Sequence, residues 1–260
     1  MSMLSPVRSA AVPRLLALGR AEMLLLGRNR TALLTSVAFP AIALAMLATS
    51  GMFSPDDAAA SAQLMAGTIG MTLLFVVYTT LVAAYVGRRE GLVLKRLRVG
   101  ELHDGEILLG TALPALAITV VQILILAGVG LVFLDVVPPK NPVLLLAGLV
   151  LGMVITGALA ACSSAFTSTV ETAQVTVLPF ILLSVGGAGM FVPLSELPDP
   201  VAEICAFLPF TPVMETVRSG WAGTGEGGTQ EAVRQVGMSA VWAVVSVWGA
   251  RRWFRWEPRR

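Results

Sequence analysis

The sequence predicts an all-α integral membrane protein of six transmembrane helices, with N- and C-termini both cytoplasmic. Three observations carry this. Of the 260 residues, 56% are hydrophobic and 13% charged, whereas a soluble domain carries about 25% charged residues. A core for so apolar a chain would outgrow the surface that must cover it, so lipid serves as the solvent. Long uncharged stretches alternate with short polar ones. Finally, the basic residues are clustered. Arg8, Arg14, Arg20, Arg28 and Arg30 form one segment. Arg88, Arg89, Lys95, Arg96 and Arg98 form a second, and Arg251, Arg252, Arg255, Arg259 and Arg260 a third. Only Lys140, Arg218 and Arg234 fall elsewhere. Lys and Arg beside a span stay on the cytoplasmic side. Six spans put all three basic segments there, and one span fewer would put the tail outside.

Residues 1–30 read as a cytoplasmic N-terminal segment. Its stretch 14–27 is apolar but interrupted by Arg20 and Glu22, which suits an amphipathic helix lying on the membrane surface and argues against a cleaved signal peptide. Residues 31–250 read as one six-helix transmembrane domain. The first span, 31–50, matches the ~20 residues a crossing needs and carries Pro40, a kink point. A short acidic loop with Asp56 and Asp57 follows outside. The second span, 63–87, ends at Arg88-Arg89, and a cytoplasmic loop 88–106 leads to the third, 107–134. Pro138-Pro139 turns the chain outside. The fourth span, 142–170, holds Gly148 and Gly152, a spacing that lets helix backbones approach closely. The fifth, 172–191, follows almost without a loop. Segment 192–228 carries five prolines, and its apolar patch 204–214 is too short to cross, so it reads as short half-inserted external helices. The sixth span, 232–250, has an uncharged core over 235–250 and needs Arg234 to snorkel outward. Residues 251–260 form a basic cytoplasmic tail, with Trp253 and Trp256 suited to the headgroup belt.

The chemistry that is missing narrows the function. His103 is the one histidine and lies in the cytoplasmic loop, so no H-E-x-x-H metal site is available; G-x-S-x-G is absent, and no second histidine could serve as the base of such a site. There is no G-x-x-x-x-G-K-[ST] phosphate loop; Lys95 and Lys140 are the only lysines. The chain is therefore not expected to be an enzyme, to hold a cofactor or metal, or to bind ATP itself. Cys162 and Cys205 fall on opposite sides in this topology and are not expected to pair. Ion-coupled carriers bury Asp, Glu or His on the ion path, whereas here only Glu171, at a span end, comes close. Energy for transport then arrives from outside the membrane. The alternatives are an ion-coupled secondary carrier and a lipid-modifying membrane enzyme. Because each basic cluster abuts a span, the partners it indicates are membrane lipids, not nucleic acid.

The loop after the second span is amphipathic if helical. Val93, Leu94 and Leu97 then share one stripe, and Arg89 and Arg96 another. Such a helix can dock into a groove on a partner; the alternative is topology signalling plus attraction to anionic lipid. Gly100 is a candidate C-cap and Asp104 a candidate N-cap for the third span.

Three stretches resemble the type-two permease family of ABC transporters, in particular the daunorubicin-resistance-like exporters. They are the surface helix ending in Arg28-Asn29-Arg30, the run Arg89-Glu90-Gly91-Leu92-Val93-Leu94-Lys95-Arg96-Leu97-Arg98, and the proline-punctuated run from Leu178-Pro179-Phe180 to Glu215-Thr216-Val217-Arg218. The family often has a proline after the basic loop, where this chain has Gly100-Glu101-Leu102-His103-Asp104. The resemblance implies the membrane subunit of an exporter in a bacterial plasma membrane. Two copies would each dock on a cytoplasmic ATPase, which binds ATP and Mg. The N-terminal surface helix would be a connecting helix. Arg88, Arg89, Glu90, Gly91, Val93, Leu94, Lys95, Arg96, Leu97 and Arg98 would couple to the ATPase. Tyr78, Tyr85, Thr176 and Phe180 would line a translocation path, the alternative at each being ordinary span packing. Glu215 and Arg218, one helical turn apart outside, would form either a surface pair or part of an outer gate. Uncharged spans rich in Met and Phe suit an amphipathic or hydrophobic cargo such as a drug, an antibiotic or a lipid-like compound.

Overall fold

A computed structural model describes residues 30–49, 57–99, 103–224 and 228–257. The expected N-terminal surface helix lies outside the described residues, as do Gly100 and the end of the tail. Among the described residues all regular secondary structure is helical. In chain order the helices are α1 (Arg30–Thr49), α2 (Ala58–Glu90), α3 (Val93–Val99), α4 (Asp104–Phe133), α5 (Pro142–Phe166), α6 (Val170–Gly187), α7 (Asp199–Ala206), α8 (Thr211–Ala222) and α9 (Gly228–Trp253). Four of them, α2, α4, α5 and α6, are long and apolar enough to cross a membrane. The chain is thus a multi-pass helical membrane protein. Its outward surface is apolar where lipid would lie, with Leu124, Val132, Phe133, Val143, Leu182 and Val244 all exposed.

Local chemistry sets the element ends. Asp57 accepts a hydrogen bond from the Ala59 amide at 2.8 Å and starts α2. The Glu106 carboxylate accepts from the His103 amide at 2.9 Å, so α4 begins a turn before its apolar run, with His103 and not Asp104 at the cap. Asn141 accepts from the Leu144 amide at 3.1 Å and Pro142 opens α5, where its missing N–H is harmless. The fifth apolar stretch is not one regular helix. α6 breaks at Val177 into Val170–Thr176 and Leu178–Gly187, because Pro179 has no N–H to give to the preceding turn.

α2 is the central helix, buried along most of its length, and it contains a π-helical turn over Leu73–Tyr78. In that turn the Thr79 amide bonds to the Leu74 carbonyl. The Thr79 hydroxyl donates to the Phe75 carbonyl at 2.6 Å, taking up an acceptor that the wider turn releases. Buried threonines elsewhere follow the same economy. Thr68, Thr119, Thr156 and Thr216 each donate to the carbonyl four residues back, so no polar hydrogen on these side chains faces the apolar core.

α8 is the hub of the opposite end. Gly148 and Gly152 bring α5 against it. A Cβ on Gly148 would lie 2.9 Å from Val217, and one on Gly152 would lie 2.9 Å from Val213 and 2.7 Å from Leu73 of α2. The glycine spacing therefore serves packing within one chain. Gly220 approaches the Leu145 backbone to a hypothetical 2.6 Å. Trp221 donates to the Val137 carbonyl at 2.6 Å, tying the loop after α4 to the end of α8. The segment expected as external helices is thus two helices, α7 and α8, with α8 deeply packed.

Candidate functional site at the basic end of the bundle

The basic end gathers the C-terminus of α2, all of α3, the start of α4, the α5–α6 turn and the end of α9. The ten residues expected to act together fall into two groups there. Arg88, Arg89 and Glu90 complete α2, the chain turns at Gly91 and Leu92, and Val93 begins α3. Leu92 adopts φ 57, a left-handed conformation uncommon for a residue with a side chain.

The two faces of α3 are arranged differently from the amphipathic reading. Leu94 is wholly buried and Leu97 packs against the core, so these residues fasten α3 to its own bundle. The outward face is Leu92, Arg96 and Val99, at helical spacing i, i+4 and i+7, with Val93 beside them. Leu92 is 43% exposed and Val99 84%. Two exposed apolar side chains thus flank a cation on this face. Lys95 and Arg98 turn sideways. Lys95 pairs with Glu257 at 2.9 Å, and Arg98 pairs with Asp104 at 3.1 Å while lying 4.9 Å over the Trp256 ring. An aromatic series continues inward, with Trp256 4.9 Å from Phe254 and Phe254 5.6 Å from Tyr85.

Arg89 does not stand on the surface. It is buried, and its guanidinium donates to the Ser164 carbonyl at 2.7 Å and to the Thr167 carbonyl. Both acceptors lie at the C-terminus of α5, where carbonyls lack intrahelical donors and the helix dipole is negative. The adjacent Glu90 carboxylate accepts from the Val170 amide at 3.3 Å, at the electropositive N-terminus of α6. Neighbouring residues of opposite charge thus clasp the two ends of one turn, each meeting the helix end of complementary sign. Gly87 keeps this junction close: a Cβ there would lie 3.3 Å from Val170. Arg88 is half-buried beside the clasp.

Of the four path candidates, Tyr78 and Phe180 come together and the others do not join them. The Tyr78 ring lies 4.7 Å from Phe180, which lies 6.4 Å from Phe210, and the Tyr78 hydroxyl shares a 2.9 Å hydrogen bond with Ser163. This cluster links the end of the π turn to α5, α6 and the start of α8. Tyr85 is buried nearer the basic end and donates to the Leu108 carbonyl at 3.2 Å. Thr176 is half-buried and donates to the Thr172 carbonyl at 3.0 Å.

At the opposite end Arg218 donates to Glu215 at 2.7 Å and also to the Gly189 carbonyl. Gln63 donates to the Gly189 and Met190 carbonyls at 2.9 Å. Side-chain exposures of 17% and 28% make Arg218–Glu215 a partly buried connection between α8, the end of α6 and the start of α2, more than a surface pair. Among the described residues no group of three or more His, Cys, Asp or Glu side chains could hold a metal ion.

The family model described as ABC-2 family transporter protein matches residues 29–252, from the start of α1 through nearly all of α9. The chain belongs to the ABC-2 transporter family. No curated protein gives a significant match. ABC-2 permeases are the membrane subunits of transporters and normally work with an ATPase subunit. For an ABC-2 permease the basic end then acquires its interest from α3 and the clasp. Sequence reasoning missed Leu92 and Val99 as the outward residues, and Ser164, Thr167 and Val170 as the acceptors and donor of the clasp. The polar run before α6 was the available signal for the latter.

Proposed function

We propose that this ABC-2 permease is the membrane half of an ATP-driven exporter in the bacterial plasma membrane. α3 is the coupling helix through which a separate cytoplasmic ATPase moves it. The observation that carries the proposal is the construction of α3. It is fastened inward by Leu94 and Leu97, presents Leu92, Arg96 and Val99 outward, and adjoins a clasp that leads to α6. A push on the outward face then passes through Arg89 and Glu90 to the α5–α6 turn.

Six spans complete the proposed topology. The four long apolar helices are joined by α1, which has 20 residues, and α9, which has 26. At 1.5 Å per residue these reach about 30 Å and 39 Å, enough for a hydrocarbon core of about 30 Å. Both termini are then cytoplasmic, with the basic end facing the cytoplasm. The working assembly is a dimer of this chain with two ATPase subunits that bind ATP and Mg. The cargo is an amphipathic or hydrophobic compound, in keeping with the uncharged spans and the aromatic cluster Tyr78–Phe180–Phe210. The partly buried Glu215–Arg218 pair belongs to the outer closure.

Proteoliposomes containing the permease and its ATPase test this. ATP with Mg should drive movement of a fluorescent amphiphile out of the leaflet bearing the ATPase. Movement that persists without ATP and follows an imposed proton or sodium gradient would refute it in favour of a secondary carrier.

A further inference from the structure

A cavity of about 860 Å³ opens at the basic end between α4, α5 and α9, within the ~300–1,000 Å³ typical of small-molecule sites. It shares no lining residue with the Tyr78–Phe180–Phe210 cluster; Tyr85 and Arg98 are the only residues of the path and coupling sets that line it. On α4 its wall runs from Gly105 to Leu116. The eleven rises of 1.5 Å between those two residues make it about 16 Å deep, which is about half of a hydrocarbon core of ~30 Å. The slot is therefore one leaflet deep. Its interior is apolar, lined by Leu108, Leu116, Met153 and Val247, and small residues at Ala112 and Ala158 leave the space. Leu109 and Val154, both on the lining, are 57% and 39% exposed, so the slot is open sideways to lipid.

The mouth is polar. Four charged or titratable groups line it: Arg98, Asp104, His103 and Arg251. Asp104 is engaged by Arg98, through Nε at 3.1 Å and a second contact at 3.4 Å. Arg251 has no ion-pair partner among the described residues and is exposed, with Arg252 and Arg255 exposed on the same terminal stretch. The Trp256 ring closes one side. A headgroup-level cation over an apolar slot one leaflet deep matches a single kind of ligand. Basic pockets between spans on the cytoplasmic side hold anionic lipid headgroups, and each buried CH₂ of the tail adds about 0.8 kcal/mol.

We infer that this cavity is a binding site for a resident anionic phospholipid of the cytoplasmic leaflet, its headgroup at Arg251 and an acyl chain along α4. The leaflet assignment rests on the orientation proposed above. Binding in detergent does not, so failure of the site and failure of the topology can be told apart.

The test is native mass spectrometry of the full chain in detergent, titrated with phosphatidylglycerol or with phosphatidylcholine of the same chains. Phosphatidylglycerol should be retained several-fold more than phosphatidylcholine. Arg251→Gln should bring the two lipids to parity, and Ala158→Trp, which fills the slot, should lower retention of both. Because Arg251 is exposed, R251Q should keep the wild-type unfolding midpoint, so loss of the lipid preference in R251Q reports on the site and not on folding. Equal retention of the two lipids by the wild type, or a phosphatidylglycerol preference surviving both changes, would overturn the site. Loss of the retained lipid during ATP turnover by the assembled complex would make it cargo and overturn the resident-lipid assignment.

Discussion

Replacing Arg89 with Met would test the clasp at the base of α2. Met fills much of the same volume but offers no donor to the Ser164 and Thr167 carbonyls, the first of which lies 2.7 Å from Arg89. A hydrogen bond from a charged donor contributes about 1.5–3 kcal/mol, and the favourable field at the end of α5 about 0.3–1 kcal/mol more. Against this, Met avoids the cost of burying a guanidinium, several kcal/mol in a dry site. With two such bonds the favourable contributions total roughly 3–7 kcal/mol, and an offset of about 3 kcal/mol leaves a net loss of up to roughly 4 kcal/mol. Arg89→Lys keeps the charge but cannot bridge two carbonyls with a planar fork, so it should recover about half. Unfolding of the purified permease in mixed micelles by added dodecyl sulfate, followed by tryptophan fluorescence, reads these differences. In the complex with its ATPase, R89K should still permit docking but weaken the stimulation of hydrolysis. Unfolding of R89M at the wild-type midpoint, together with unchanged stimulation, would refute the clasp as both a structural and a transmitting element.

The glycine contacts divide into tight and idle positions. Gly152→Ala should cost about 1–3 kcal/mol by overpacking against Leu73 and Val213. Gly128→Ala, which meets nothing within 4 Å, should be neutral or stabilise by about 0.5–1 kcal/mol; the same unfolding assay separates them. Tyr78→Phe should lose only the Ser163 hydrogen bond, about 0.5–1.5 kcal/mol. Tyr78→Ala should lose the contact with Phe180 as well and cost about 3–5 kcal/mol, a difference visible in thermal midpoints. Breaking the exposed Lys95–Glu257 pair with Glu257→Gln should change stability by less than about 1 kcal/mol and the more so at low salt.

Hydropathy made the helical membrane class and the long apolar helices legible, because a bilayer demands uncharged length whatever the tertiary packing. Their ends were less so. The apolar stretch 107–134 lies in a helix that starts at Asp104, since a capping carboxylate is polar yet belongs to the helix. The break at Val177 was visible in Pro179 but submerged by the apolar residues around it. The segment around α3 shows the larger difficulty. Its amphipathic period was readable, but period alone does not say which face a short helix turns toward its own bundle. Leu94 and Leu97 face inward against the core while Lys95 and Arg98 pair sideways, and that leaves Leu92, Arg96 and Val99 exposed. Arg89, in a basic run, reads as surface charge. Its burial depends on the C-terminus of α5, 75 residues later in the chain. The pairing of Lys95 with Glu257 spans 162 residues and leaves no local trace.

The most direct measurement is the affinity of the purified ATPase for the permease in nanodiscs, with stimulated hydrolysis followed in the same samples. Arg96→Glu and Val99→Asp alter exposed side chains and should leave folding intact. Each should weaken binding about tenfold, the equivalent of about 1.4 kcal/mol, and lower stimulation in step. Wild-type affinity and stimulation in the double variant would contradict the assignment of α3 as the helix through which this permease is driven.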